Sequence, residues 1–290
     1  MLQSYLSYSD FCRSIYIKAW IYVYPNHIRC FGNRIHIFVE YFSQSDFSEQ
    51  CMAIYVTGDT HGDMEIDRLS FKNWPVGKTL SRTDVVVILG DFWFGPGRTK
   101  SDDFWLDWLE DKPWTTLVVD GNHENFPILN SLPDGQAFGN TVGIIRPHVL
   151  HLRRGLIYDI CGYRCLAIGG ADSIDVAYRT KGVNWWPEES ITHEDISRAE
   201  QSLELHGYNI DYVFSHTGPT AIVKRALHAA YGVDIDAPLL FDASSLQLDT
   251  LVPKLKFKRW FMGHLHTDSM FFDVNYYVLW KSIIKADFQI

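Results

Sequence analysis

The chain reads as an α/β protein, and three observations carry that reading. Of its 290 residues 47% are hydrophobic, enough to fill a real core. From Met52 onward, short β-branched apolar runs alternate with amphipathic, capped segments. Most of those runs end in glycine beside Asp, Asn or His, the way a buried strand delivers a polar loop. Alternation alone fits either one doubly wound sheet or two sheets in layers.

The elements follow in order from Met52, where MAIYV runs straight into GDTHGD. Residues 84–89 (DVVVIL) and 116–119 (TLVV) are short buried strands. Residues 102–110 bring Phe104, Trp105, Leu106, Trp108 and Leu109 to near-helical spacing. Between 140 and 171 lie several strand-like pieces, including 155–160 and 164–168; CGYRC, with Cys161 and Cys165, reads as the turn of a tight hairpin carrying buried or half-buried thiols. Thr192 with Asp195 makes a capping box for a helix to about His206, closed by Gly207. Residues 212–214 lead into SHTGP, residues 259–262 lead into GHLH, and 271–278 form a closing strand or pair. No repeat, low-complexity tract or linker interrupts 52–290, so this stretch is expected to be one domain.

Residues 1–51 differ. They hold three of the five cysteines (Cys12, Cys30, Cys51) but one of the 20 glycines, Gly32. They lack clear helix caps, although 34–42 passes for a short strand. Residues 1–51 are therefore expected to be an accessory extension or the product of an early-called start, with the working domain at 52–290. The apolar run 15–24 is interrupted by Lys18, falls short of the ~20 residues that span a bilayer, and lacks a small-residue cleavage site. Five cysteines do not make the dense framework of a small secreted domain. The expected location is cytoplasmic, with no membrane partner.

Lys+Arg 26 against Asp+Glu 35 gives a formal charge of -9. Arg13, Lys18, Arg29 and Arg34 balance Asp10, Glu40, Asp46 and Glu49, so the whole excess belongs to 52–290. That charge repels a polyanion, and nucleic acid is disfavoured as a partner. A small phosphorylated substrate stays compatible, because bound cations reverse the local field.

Five strand ends carry one constellation: Gly58-Asp59-Thr60-His61-Gly62, Gly90-Asp91, Gly121-Asn122-His123-Glu124, Ser215-His216 and Gly263-His264-Leu265-His266. Loops at the C-terminal ends of strands in a layered fold converge on one edge. Mixed carboxylates and imidazoles suit divalent Mn, Fe or Zn. Any one of these residues alone is more often an ordinary loop or core group; five ordered blocks are not.

In this pattern the chain resembles the calcineurin-like metallophosphoesterase superfamily, whose motifs are D-x-H, G-D, G-N-H-[DE], H and G-H-x-H. The resemblance runs from Met52 to the C-terminus. It implies a four-layer sandwich, two mixed β-sheets flanked by helices. It further implies that Asp59, His61 and His266 bind one divalent metal, that Asn122, His216 and His264 bind a second, and that Asp91 bridges both. His123 would be the general acid for the leaving oxygen or a donor to the developing phosphorane charge. Two cations about 3.5–4 Å apart activate a bridging hydroxide for attack on phosphorus in a phosphomonoester or phosphodiester. The His-x-His pair is read as extended chain that sends its two rings to different metals.

One departure matters. Many relatives carry a second Asp shortly after the bridging one, in G-D-x-x-D or the longer G-D-x-x-D-R-G, whereas here Gly90-Asp91 is followed by Phe92-Trp93-Phe94-Gly95-Pro96-Gly97-Arg98. Asp63, Glu124 and Asp120 are candidates to orient His123, and Arg98 and Arg179 to hold phosphate. Residues 172–184 read as a lid, with Trp185 and Trp186 either stacking on an aryl group or packing at the domain edge. Trp93 and Phe94 wall the pocket or pack beneath it. Two rival functions remain: a metal-dependent nuclease, for which Lys254 to Arg259 offers only a solvated segment rather than a basic track, and a non-catalytic scaffold, which an eroded motif would have favoured.

Overall fold

The computed structural model describes residues 53–92, 99–236 and 243–289, with the backbone of Cys30–Phe31 and Arg34–Ile35. The chain divides into two compact units, Met1–Asp46 and Phe47–Ile290. In the first, β1 (Cys30–Phe31) pairs antiparallel with β2 (Arg34–Ile35). The expectations for the apolar run 15–24 and for the status of residues 1–51 lie outside the described residues.

The second unit builds two sheets in succession. The first takes β3 (Ile54–Thr57), β4 (Val85–Leu89), β5 (Thr115–Val119), β6 (Asp134–Ala137), β7 (Asn140–Arg146) and β8 (Val149–Leu152). The second takes β9 (Leu156–Ile160), β10 (Tyr163–Ile168), β11 (Asn209–Ser215), β12 (Lys256–Met262), β13 (Ser269–Phe271) and β14 (Tyr276–Val278). A last strand, β15 (Ile283–Lys285), returns to the first sheet and pairs antiparallel with β3. The orders are β15-β3-β4-β5-β8-β7-β6 and β13-β14-β12-β11-β10-β9. Both are mixed: β3, β4, β5 and β8 are mutually parallel in one, β10, β11, β12 and β14 in the other, and antiparallel strands flank each group.

Alternation along each strand explains the layering. Successive side chains point to opposite faces, so in β4 Val85, Val87 and Leu89 meet the other sheet while Val86 and Ile88 meet the helices outside. In β11, Tyr212 and Phe214 face inward and Val213 between them outward. Both faces are buried, which is why DVVVIL shows no polar alternation. The outer face of the first sheet is covered by α1 (Lys100–Glu110), through Leu106 and Leu109, by α2 (Phe126–Asn130) and by the short 3-10 turns at Ile66–Leu69 and Pro75–Thr79. The second is covered by α3 (His193–Glu204), α4 (Thr220–Tyr231) and α5 (Ala243–Asp249). The result is the four-layer sandwich of two mixed sheets flanked by helices, and the single doubly wound sheet is ruled out.

Local chemistry sets the helix starts. Thr192 accepts from Asp195 N–H while the Asp195 carboxylate accepts from Thr192 N–H, the capping box read from the sequence. Thr99 and Asp102 make the same pair, so α1 begins two residues before the predicted 102. The hairpin at Cys161-Gly162 joins β9 to β10 as expected. Its two cysteines are not a pair of thiols, however: Cys165 is free and buried, whereas Cys161 is disulfide-bonded. Residues 271–278 resolve into the pair β13 and β14. Among the described residues no helix is long and apolar enough to cross a membrane.

The inter-sheet core buries side chains from both sheets. Leu117 is fully buried in it, so Leu117→Ala is expected to cost about 2–5 kcal/mol in unfolding free energy. Urea denaturation of the variant, against wild type at equal m-value, measures it.

Candidate metal centre

The parallel strands bring the site together from both sheets. Asp59 and His61 follow β3, Asp91 follows β4, and Asn122 and His123 follow β5. From the second sheet, His216 follows β11, and His264 and His266 follow β12. Backbone bonds sew neighbouring loops: His61 N–H donates to Asp91 O at 2.8 Å, Gly62 N–H to Phe92 O at 3.1 Å, and Gly263 N–H to His216 O at 2.9 Å. Bonds also cross between the sheets, among them His264 N–H to Asp59 Oδ1 at 2.9 Å.

The donor atoms converge in two groups. Asp59, His61, Asp91 and His266 each offer an atom within 4.8 Å of the others, and so do Asp91, His216 and His264, so Asp91 belongs to both. His61 Nε2 and His266 Nε2 face each other at 2.9 Å, and His266 Nε2 stands 3.2 Å from Asp59 Oδ2. That oxygen is buried and has no hydrogen bond of acceptable geometry. In the other group His216 Nε2 lies 3.4 Å from Asp91 Oδ1 and 3.0 Å from Asn122 Oδ1. An orphaned buried carboxylate oxygen among imidazole nitrogens aimed at one point is a donor set that fits a divalent cation.

Supporting bonds orient the donors. His216 Nδ1–H donates to Leu89 O at 2.7 Å, which turns Nε2 into the site. Asn122 Nδ2 donates to Ser173 Oγ at 3.0 Å, leaving Oδ1 facing His216. Ser173 is in turn gripped by Glu189, through its N–H at 2.7 Å and its hydroxyl at 3.0 Å. Tyr231 OH at the end of α4 donates to the Leu265 and His266 carbonyls, and the Trp280 ring stacks on His266 with centroids 5.4 Å apart. Sequence reasoning missed Ser173, Glu189, Tyr231 and Trp280; the one available signal was Ser173's place in the polar stretch 172–184.

The backbone is bent at the donors. His61, Asp91, His264 and His266 all have φ between 44° and 67°. The His-x-His segment is therefore a tight turn, not the extended chain the sequence suggested; its rings diverge because two left-handed residues flank Leu265. Close approach also explains a glycine: a Cβ on Gly121 would collide with Asp91 Oδ1 and N.

His123 sits at the rim. Its N–H donates to Asp91 Oδ1 at 2.8 Å, and its Nε2 lies 3.9 Å from Asp91 Oδ2. Of the carboxylates considered for orienting it, Glu124 accepts from the N–H groups of Phe92 and Gly121, and Asp120 is paired with His151 at 3.1 Å and with the Arg154 guanidinium. Asp63 is exposed. Arg179 does reach His123, with Nη2 2.9 Å from Nδ1. Trp186 is buried beside Phe92 and Phe126 in the outer core, so it packs rather than stacks on a ligand. Trp93, Phe94 and Arg98 lie outside the described residues.

Charges inside the protein set the protonation of these groups. Burial favours neutral Asp91, but the adjacent His216, then His123 and His61, hold it well below the usual carboxylate range. Burial likewise opposes a charged His216, yet Asp91 and Asp59 push it well above an ordinary imidazole. His264 goes the other way, down to about 4, through burial and the nearby His216. The adjacent Asp59 carboxylate raises His266.

Comparison with known proteins follows the same residues. The model of the calcineurin-like phosphoesterase family matches residues 52–268. The chain belongs to the calcineurin-like phosphoesterase family. Family members are hydrolases of phosphoester bonds that use divalent metals, and the Asp/His groups above are of the type that binds them. A curated relative, the lariat debranching enzyme of Schizosaccharomyces pombe, is 28% identical over 193 residues, 62% of this chain and 36% of that enzyme. The chain thus spans about a third of that relative's length. A crystal structure of phosphopantetheinyl hydrolase from Mycobacterium tuberculosis aligns with 79% of this chain and 89% of its own, at 16% identity and a TM-score of 0.41.

Two outcomes are expected. Gly121→Ala should displace Asp91 and lower bound metal, read by elemental analysis, while circular dichroism stays that of the wild type. Because protein charges keep His216 protonated and a metal takes the neutral imidazole, metal affinity should rise with pH and binding should release a proton. Calorimetry in buffers of different ionisation enthalpy counts that proton.

Proposed function

We propose that the chain hydrolyses a small phosphomonoester or phosphodiester with two divalent cations of the Mn, Fe or Zn type. The reading rests on Asp91, one carboxylate common to both donor groups, each of which draws on both sheets. Asp59, His61 and His266 would hold one cation, Asn122, His216 and His264 the other, and Asp91 both. Bound there, the cations would supply Lewis acidity toward the phosphoryl oxygens and toward a water.

The protein's own groups do the rest. Asp59 and Asp91 supply fixed negative charge in a dry setting, where each attraction to a cation is stronger than in water. Tyr231 and Ser173 keep ligands in place before substrate arrives, so little reorganisation is left for the reaction. His123, 29% exposed, is the side chain at the rim able to pass a proton to a leaving oxygen. Burial holds His123 below its ordinary range, Asp91 pulls it up and Arg179 pushes it down. An arriving anionic phosphoryl group raises it again, so protonation of His123 and substrate binding support each other.

The intact motif set favours an enzyme over a scaffold. The debranching relative favours the diester arm of this reading, while the formal charge of -9 opposes a long polyanion.

Metal-loaded protein should hydrolyse para-nitrophenyl phosphate, its bis ester, or both, and the ratio of the two rates assigns the ester class. His123→Ala is expected to lower kcat by about 10²–10⁴-fold with metal content still near two per chain. Absence of hydrolysis of both esters by the fully loaded wild type would sink the enzyme reading.

A further inference from the structure

Residues 172–184 follow β10 past the rim of the site; their start is fastened to it and their far end is closed by a bond of its own. At the start, Ser173 binds Asn122 and Glu189; at the far end, Asn184 Oδ1 accepts from Thr180 N–H at 2.6 Å. Between these points stands Arg179. Its Nε is 2.7 Å from Asp175 Oδ1 and its Nη1 donates to Asn184 O at 3.3 Å. Two of its three nitrogens are thus used to fix the guanidinium, and its side chain is only 9% exposed. The third nitrogen, Nη2, points at the His123 ring, 2.9 Å from Nδ1 and 3.0 Å from Nε2.

A guanidinium carries donors alone and never loses its charge. Placing it against an imidazole whose other neighbour is a metal-type donor group is unfavourable for the charged imidazole by itself. The same placement becomes favourable once an anion lies beside the pair and accepts from both. Holding the fork in advance also removes most of the rotamer entropy that a flexible arginine loses on binding. The second N–H of Nη2, on a guanidinium already fixed in place, is a charge-assisted donor of the kind that binds a phosphate oxygen.

We propose that Arg179 is the residue that binds the substrate phosphoryl group, donating from Nη2 to a non-bridging oxygen beside His123. The proposal rests on the phosphoester reading above and names the group that grips its substrate. It also answers the missing arginine after Gly90-Asp91: the cation comes from a strap 88 positions later in the chain (179 − 91) instead of from the next turn.

The test is binding of inorganic phosphate to full-length, manganese-loaded protein by calorimetry, after removal of unbound metal. Arg179→Ala should weaken phosphate by about tenfold or more, the scale of one charge-assisted hydrogen bond, with metal content and thermal midpoint unchanged. Arg179→Lys, which keeps the charge without the fork, should recover part of the loss. Equal phosphate affinity in wild type and Arg179→Ala overturns the proposal, as does a wild type that binds no phosphate. Loss of metal from Arg179→Ala also overturns it, because Arg179 would then be a brace for Asn122. Phosphate held through Arg179 by a protein that hydrolyses neither nitrophenyl ester would leave this inference standing and remove the enzymatic one.

Discussion

A carboxylate with almost no water around it must find its partners in the protein, and Asp91 finds them on every side. Its Oδ1 accepts the His123 N–H and faces His216, its Oδ2 faces His61 and His123, and its own carbonyl ties down His61. The demands of that one side chain spread outward. Gly121 lacks a Cβ because Asp91 occupies the space, and His216 is raised because Asp91 is lowered. Burying like charges with only imidazoles for company is costly. A divalent cation bound there would offset this cost.

The bent backbone belongs to the same economy. Left-handed φ at a non-glycine residue costs on the order of 1 kcal/mol, and four of the eight candidate site residues have it. Such strain persists because the surroundings over-determine it. Loops are stitched to loops by main-chain bonds, and the strands beneath them are buried on both faces. Rigidity of the sandwich thus permits a distorted, ready-made site at its edge.

Much of this was readable from residue order. DVVVIL announced a strand buried on both faces, Thr192 with Asp195 announced α3, and four glycine-flanked strand ends with Ser215-His216 named the side chains that cluster. Other parts were silent for physical reasons. The β6 run DGQA is polar and largely exposed, and its strand exists because β7 offers it an edge. The half-buried three-residue β15 is likewise created by its pairing with β3. The second sheet could not be told from the first, since identical doubly buried runs serve either. At the site, motif spacing named the donors but not their orientation. Ser173 and Arg179 lie 51 and 56 positions from Asn122 and His123, and only the folded chain brings them together.

The division of donors between the sheets bears on how the molecule is made. Synthesis delivers Asp59, Asp91 and Asn122 with the first sheet, then His216, and His264 and His266 only with the end of β12. A nascent first sheet presents two converging acids before most of the imidazoles that accompany them exist. β15, the last strand, then reaches back to pair with β3 in the first sheet. The cluster is therefore completed late: a chain cut short anywhere before residue 266 carries an incomplete set of donors, whatever its first sheet does.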